Sequence, residues 1–563
     1  MYLVLGRHPQ ADGRLQLFDV DDSLTVLAST ELDPAELPAV TALRAPAAAR
    51  WVWANTAEWY PMLLRAGIRI DRCIDLRLTH AILRRSELSA RSKLATADDG
   101  RWDMPVVVEE ADQKLSLFDA DRSADELTSD DVLQELRLQH EAIEESLDPR
   151  RLKLLLAAES AGALIAVEMK HDGLPFNADV HHKQLTLALG PRPQFGGRPE
   201  KLEHLARQIR ALLDAPRLNP DSAIELLRAL KRAGLDVSTT RQWELERLEH
   251  PVTTPLLEYK KLSRLLTANG WAWMDAWIRD GRFHPDYVPG GVVTGRWATR
   301  GGGALQLPKQ IRSAVVADQG WKLVVADAAQ LEPRVLSAMS HDAAMASASL
   351  GKDLYQGLVD NGVVDTRAHA KLAMLGALYG STTGESAQLM PRLQRAYPAA
   401  IGMVETAAQT GERGGIVSTW LGRSSPPPGS GWNQVQQKAS DPDAGPADER
   451  RARSQARERG RFTRNFIVQG SAAEWALCWM ANLRQRLASL PTADLAAPWN
   501  SGRPHLVFFM HDEVMVHTPE DLAEDVHTAV LAAARDAGRL MFGTFPIDFA
   551  LQVAVVDNYA QAK

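Results

Sequence analysis

The chain has 563 residues, 45% of them hydrophobic and 24% charged, and 64 lysines and arginines face 71 aspartates and glutamates for a net charge of -7. That describes a globular chain with room for several domains, and the mildly acidic total argues against indiscriminate nucleic-acid binding without excluding a local basic groove. Two distant cysteines, Cys73 and Cys478, exclude a disulfide framework and a cysteine zinc site; with no apolar run near a membrane span and no signal pattern at Met1–His8, the reading is a soluble, cytoplasmic protein without a membrane partner.

Residues 1 to about 145 mix short apolar strands (Leu15-Gln16-Leu17-Phe18, Trp51-Val52-Trp53) with helices, then end in acidic sequence around Asp119–Asp131, which predicts an α/β module and a linker. From Arg150 the pattern turns helical. Leu154, Leu155, Ala158, Ala161, Leu164, Ile165 and Glu168 keep a helical period up to Gly173, and helices follow at about 197–215, 220–234 and 253–268, an all-helical arm. Strands are expected at about 292 and 322, helices from about 328 to 410, and strands again at about 504–517 and 546–556. Between them, Ser424–Arg459 opens with Ser-Ser-Pro-Pro-Pro-Gly-Ser-Gly and reads as a mobile surface loop. It runs into Arg451, Arg453, Arg457, Arg459, Arg461 and Arg464, whose plainest reading is a solvated helix face. A sheet interrupted by a long helical insertion is the outline.

Two carboxylates stand at the tips of apolar strands. Asp327 follows Trp321–Ala326, and Asp512 lies in His511-Asp512-Glu513 between Leu506–Met510 and Val514–Val516. An apolar strand cannot solvate a carboxylate, so each acid emerges where its strand leaves the core, and two such tips together would make an oxygen-ligand site for divalent cations. The turn at His511 lacks Gly, Asn and Pro, a local violation of the kind found at functional sites. A helix over Arg367–Gly380 puts Arg367 and Lys371 on one face, with Tyr379 on an adjoining stripe, a spacing suited to a triphosphate and its base or sugar. Thr294-Gly295-Arg296 and Arg461–Gly470 mix Arg, Asn and Gln with glycine, as backbone and minor-groove readers do. Taken singly, each has a plainer explanation: a helix cap for Asp327, a polar hairpin tip for Asp512, an amphipathic helix with exposed cations for Arg367 and Lys371.

Order and spacing make the set specific. The chain resembles the family A DNA polymerases, the group of bacterial DNA polymerase I, over about 150–563. Asp327, Gln330, Glu332 and Arg334 match motif A; Arg367, Lys371, Tyr379 and Gly380 match motif B; His511-Asp512-Glu513 matches motif C. Thr294-Gly295-Arg296, Arg461/Asn465/Gln469, Gly351-Lys352-Asp353-Leu354 and Leu257–Leu262 also occur in the family's order. The resemblance implies an α+β, multidomain right-hand polymerase with an N-terminal α/β ribonuclease-H-like, exonuclease-type module at 1–145 and a polymerase domain at 150–563. Its thumb would lie at about 190–285, its palm at about 286–340 and 465–563, and its fingers at about 341–464.

The same resemblance implies two Mg²⁺ ions bridged by Asp327 and Asp512, with Glu513 in support and Lys371 and Arg367 on the triphosphate. Gln330, Leu375, Tyr379 and Glu332 would surround the nucleotide, with Tyr379 hydrogen-bonded to Glu332 and Glu332 blocking a ribose 2′-hydroxyl. Arg296, Thr294, Asn465, Gln469, Arg461 and His511 would touch primer-template DNA. Leu375 stands where the family has Phe or Tyr, Met374 where Asn is common, and Pro333 replaces the usual Leu. In the N-terminal module, Asn55–Trp59 with Cys73-Ile74-Asp75 resembles an exonuclease block in which Trp59 falls at the family's metal-binding Asp, and the third block near Thr128–Asp131 is vague. No Asp-x-Glu lies on an early strand, and the region before Asn55 looks too short for the full fold. The expectation is a monomeric DNA polymerase working on primer-template and deoxynucleoside triphosphates, in repair or gap filling, with an inactive exonuclease module and no 5′ nuclease ahead of it. The alternatives are a bifunctional enzyme with working proofreading and a non-catalytic DNA-binding derivative.

Overall fold

The computed structural model describes residues 1–11, 13–44, 49–97, 100–103, 127–380, 384–492 and 502–562. The acidic stretch from Asp119 lies outside the described residues as far as position 126. The chain divides into two compact units: Met1–Asp172 with Asp286–Thr299 and Val324–Val555, and Gly173–Pro285 with Arg300–Leu323 and Val556–Lys563.

The first unit begins with strands β1 (Tyr2–Arg7), β2 (Leu15–Val20), β3 (Val26–Leu32), β4 (Arg50–Trp53) and β5 (Cys73–Asp75), in the sheet order β3-β2-β1-β4-β5. The first three pair antiparallel, whereas β4 and β5 run parallel to β1. This is the ribonuclease-H-like layout, and it corrects the expectation that too little chain precedes Asn55. Short antiparallel strands joined by tight turns need few residues, and β3 is an edge strand whose exposed Val26 and Leu27 hide its alternation. Leu3, Leu5, Trp51, Trp53, Tyr60 and Leu63 fill one face, Val4, Val20, Val52, Leu76 and Leu133 the other.

Helix Pro149–Asp172 lies beside this module and helps to lock it to the rest of the unit. Buried Glu168 accepts from Tyr60 Oη at 2.5 Å and pairs with Arg484 at 2.7 Å, while Arg484 also donates to the carbonyls of Ile70 and Asp71.

The second sheet of this unit joins β6 (Trp321–Ala328), β7 (His505–Met510), β8 (Glu513–Pro519) and β9 (Leu551–Val556), in the order β7-β8-β6-β9. Near residue 292 the expected strand reduces to two-residue strands, Tyr287–Val288 and Ala298–Thr299, with Val292 and Val293 exposed in the turn between them.

A larger correction concerns Ser424–Arg459. Helices occupy Ser430–Ala439 and Pro446–Ala488, the second 43 residues long and therefore about 65 Å. Pro446 at the first helical position, Asp448 and Glu449 in the first turn, and a run of Ala and Arg supply what a helix start needs. The composition resembles low complexity because this half of the helix buries little. Its second half is anchored by Trp475, Trp479 and Phe549. The arginine run is accordingly a helix face, except that half-buried Arg459 donates to the Gly415 and Pro426 carbonyls and Arg464, 8% exposed, donates to the Ala377 carbonyl.

The second unit is mostly helical, with Ala178–Leu189, Glu200–Leu212, Ala223–Arg232 and Thr253–Asn269 packed around Leu205, Ile209, Leu230, Leu256 and Tyr259. The arm is not wholly helical: Leu174–Pro175, Ile278–Arg279 and Arg282–Phe283 form a small sheet.

Candidate active site

The candidate site residues of the polymerase-like segments fall in the first unit, whereas the segment Leu257–Leu262 belongs to the second. Asp327 is the penultimate residue of β6, and β7 and β8 are joined by the two-residue turn His511-Asp512. The Asp512 N–H donates to the Met510 carbonyl at 2.8 Å across His511, whose φ is +60°. That is a three-residue turn about a left-handed non-glycine residue, a strained arrangement that persists only where the surroundings enforce it. The enforcing contact is visible: Ala328 N–H donates to the Asp512 carbonyl at 2.9 Å, bringing the residue after Asp327 against the hairpin tip.

Asp327 thus lies at the end of one strand and Asp512 in the turn that leads into its neighbour, both half-buried. Capping does not explain Asp327, because the N-cap of helix Leu331–Ser340 is Gln330, itself left-handed at φ +50°. Glu513 begins β8 and is buried. Among the described residues no three His, Cys, Asp or Glu side chains gather as a metal site. A pair of oxygen-only ligands suits Mg²⁺, which keeps waters and takes one or two carboxylates together with substrate phosphates.

Glu332, in the first turn of helix Leu331–Ser340, is held from two sides. Arg296 Nη2 donates to one oxygen at 2.5 Å and Tyr379 Oη to the other at 2.9 Å. The expected Tyr379–Glu332 hydrogen bond is therefore present. Burial and the Glu332 charge push the Tyr379 phenol up to about 12, against opposing contributions from Arg296 and Asn465. His511 is drawn down from the usual histidine range by burial and by Arg296, with Glu332 opposing. Those shifts bring motifs A, B and C and Arg296 into one electrostatic neighbourhood.

Pro333 interrupts nothing, since first-turn N–H groups have no helical partner. Arg334 is 1% exposed and spends its donors on the carbonyls of Ala329, Ser349, Lys352 and Asp548 and on the Asp548 carboxylate. It is a hub of the framework.

Helix Arg367–Tyr379 starts on a Thr366 cap and ends at left-handed Gly380, where a Cβ would come within 2.8 Å of the Arg461 side chain. Lys371, Leu375 and Tyr379 lie at four-residue spacing and all are exposed, Leu375 by 36% and Tyr379 by 42%. Lys371 has no ion-pair or hydrogen-bond partner among the described residues. Arg367 does: it reaches Asp353 through Nη2 at 2.8 Å and Nε at 3.3 Å, over the ring of Tyr355. Asp353 also accepts from Gln330 Nε2 at 3.0 Å. Sequence reasoning noted Asp353 only as part of a segment and missed it as the link between Gln330 and Arg367. An Asp immediately before a helix signals only a cap, and its second partners come from elsewhere in the chain.

The remaining candidates cluster on the long helix and the Thr294–Arg296 turn. Thr294 Oγ1 donates to Gln469 Oε1 at 3.1 Å. Gly295, at φ +83°, lies so close to the Arg423 guanidinium that a Cβ would meet Nε at 2.6 Å, and Arg423 is paired with buried Glu159 at 2.7 Å. Asn465 and Gln469 are half-buried and Arg461 is exposed. One turn further along, buried Glu474 accepts from Thr419 Oγ1 and from the Leu421 N–H.

In the N-terminal module, Trp59 is buried, and Asp75 gives its oxygens to the N–H groups of Thr56 and Leu78. Asp131 closes a capping box with Thr128.

The model of DNA polymerase family A matches residues 199–560. The chain is 26% identical over 436 residues to a thermostable DNA polymerase I from Thermus filiformis, covering 72% of this chain and 46% of that protein. It is 27% identical over 335 residues to DNA polymerase I from Chloroflexus aurantiacus, covering 55% and 32%. The chain thus spans about half the length of such relatives, or less. The POL domain of Pol1 from M. smegmatis, solved in complex with DNA primer-template and dNTP, superposes with a TM-score of 0.67 at 18% identity, over 98% of this chain and 93% of that one. That likeness concerns the fold. Among the described residues no helix is long and apolar enough to cross a membrane.

Proposed function

This chain belongs to DNA polymerase family A, and we propose that it extends a primer 3′-hydroxyl with deoxynucleotides under the direction of a template, in repair or gap filling. The observation that supports this most is the backbone hydrogen bond from the Ala328 N–H to the Asp512 carbonyl, which joins the strand end that carries Asp327 to the turn that carries Asp512. When bound, two Mg²⁺ ions held by Asp327 and Asp512 supply a lowered pKa for the attacking hydroxyl and neutralise charge at the departing pyrophosphate.

The chain's own residues orient the reactants. Arg367 and Lys371 hold the β- and γ-phosphates, a positioning and charge role. Glu332, braced by Arg296 and Tyr379, stands as a fixed anion against a ribose 2′-hydroxyl; Tyr379 and Leu375 face the base and sugar, with Gln330 beneath. Thr294, Arg296, Arg461, Asn465, Gln469 and His511 bind primer-template, and Glu513 supports the carboxylate pair. In this reading the palm spans about 286–340 and 465–563, the fingers about 341–464 and the thumb about 190–285, and the enzyme works as a monomer in the cytoplasm.

The N-terminal module, residues 1–145, is proposed to be inactive as a 3′–5′ exonuclease. Trp59 fills the family's metal-ligand position, the oxygens of Asp75 are spent on backbone N–H groups, and those of Asp131 on the Thr128 N–H and hydroxyl and on Arg101. Primer extension with Mg²⁺, comparing the natural chain with Asp512→Ala, tests the main reading: template-dependent extension by the first and its loss in the second is the expected result. Shortening of a mismatched primer in the absence of nucleotides would favour the bifunctional alternative.

A further inference from the structure

The guanidinium assigned to the triphosphate is already occupied. Asp353 caps helix Leu354–Asp360, its Oδ1 accepting from the Gln356 N–H at 2.9 Å, while its Oδ2 accepts from Gln330. Anchored at both ends, this carboxylate also meets Arg367 through both oxygens, at 2.8 and 3.3 Å. Two oxygens in the fork of a guanidinium reproduce the arrangement in which arginine binds phosphate. One turn along the same helix, Lys371 is exposed and has no partner among the described residues. Of the two cations proposed to hold phosphate, one is open and the other is taken.

We propose that Asp353 is a competing internal ligand that sets the affinity of this site for nucleoside triphosphate. The inference rests on the reading of Arg367 as a phosphate-binding group. A triphosphate makes its first contact at Lys371 and gains Arg367 only as its phosphate oxygens replace those of Asp353. Apparent affinity is reduced by the fraction of molecules in which Arg367 is engaged. Because Asp353 keeps its cap and its bond to Gln330 when Arg367 leaves, the exchange needs no unfolding of either helix start. The titration of the pair agrees with the contact. Burial would raise the Asp353 carboxyl, but the hydrogen bond and charge of Arg367 together with the Gln356 and Tyr355 N–H groups outweigh it and hold the group below the usual range, while Asp353 raises Arg367. Both side chains are partly exposed, by 32% and 54%, so the contact is one that a ligand can break.

Asp353→Asn and Asp353→Ser both retain a capping side chain and remove the charge; the serine is also too short to reach Arg367. Each should lower KM for deoxynucleoside triphosphate in primer extension about two- to fivefold, the range for an exposed ion pair. Calorimetric Kd for dATP on the protein–primer-template complex should fall by the same factor. In an Arg367→Ala background the effect should vanish, since the competitor then has nothing to hold. A merely structural Asp353 would raise KM or lower kcat irrespective of Arg367. Unchanged or raised KM and Kd in both variants would overturn the proposal. If the natural chain extends no primer, the polymerase reading falls by itself, and the dATP titration still decides whether Asp353 competes.

Discussion

The two sheets of the first unit dispose of their acids in opposite ways. In the five-stranded N-terminal sheet, Asp75 ends β5 and is 2% exposed, with its oxygens on the Thr56 and Leu78 N–H groups. Burial raises its pKa despite those bonds. In the four-stranded sheet, Asp327 and Asp512 occupy a strand end and a strained turn, and Gln330 takes the N-cap position of the following helix without a side-chain cap bond. The same residue type at the same kind of position is thus mortar in one sheet and candidate ligand in the other. What separates them is placement: Asp75 is buried against two backbone donors, whereas Asp327 and Asp512 are half-buried at a strand end and a turn, and a sequence motif does not reveal that.

The largest test of this contrast is Asp512→Ala, which should reduce kcat for primer extension by about 10²- to 10³-fold or more while leaving the thermal midpoint nearly unchanged. A small loss of activity with a large loss of stability would put Asp512 in the same class as Asp75. Next in size is Glu332→Ala, which frees both Arg296 and Tyr379. Ribonucleotide incorporation relative to deoxynucleotide should rise about 10- to 100-fold, read by single-nucleotide extension with each substrate.

Asp75→Ala should do the reverse of Asp512→Ala. Leaving buried N–H groups unsatisfied costs on the order of 2 kcal/mol, measured by denaturant unfolding, with extension per folded molecule unchanged. A third kind of buried acid sharpens the comparison through pH. Burial pushes Glu474 up to about 7, helped by Glu159 and opposed by Thr419, Leu421 and Arg423. Its folded pKa exceeds its unfolded value, so its contribution to stability is full below about 4.5 and is lost as pH rises through 7. Glu474→Gln should flatten the fall of the melting temperature over that window; an unaltered slope would remove Glu474 as its source. The smallest effect belongs to Leu375→Phe. An aromatic ring on this exposed face should lower nucleotide KM and alter dideoxynucleotide discrimination a few-fold, and identical steady-state parameters would show that position 375 does not meet the sugar.

Much of the site was legible because its residue types are confined to short segments with fixed spacing. Asp327 beyond an apolar run, Arg367 and Lys371 four apart, and a turn without turn residues at His511 are all local signals. Of the ties among them, the Tyr379–Glu332 bond followed from the family resemblance, but the others were not legible. Arg296 reaching Glu332, Arg464 reaching the Ala377 carbonyl, and Asp353 joining Gln330 to Arg367 are long-range, and nothing in the single sequence marks a partner 14 to 87 positions away. In the fold, the strongly periodic helices of the arm were readable, whereas the helix through 446–459 was mistaken for a loop because charge and alanine gave it no apolar stripe.

Arg484 carries one more consequence. Its guanidinium is satisfied jointly by Glu168 and by main-chain carbonyls of Ile70 and Asp71 in the N-terminal module. Excising residues 1–145 would remove those carbonyls and the Tyr60 hydroxyl from the cluster and leave Glu168 as the remaining partner of Arg484, on the same helix as Asn465 and Gln469. A module relieved of chemistry would, on this account, be held in place as masonry, its loss felt first as a loosened grip on the duplex.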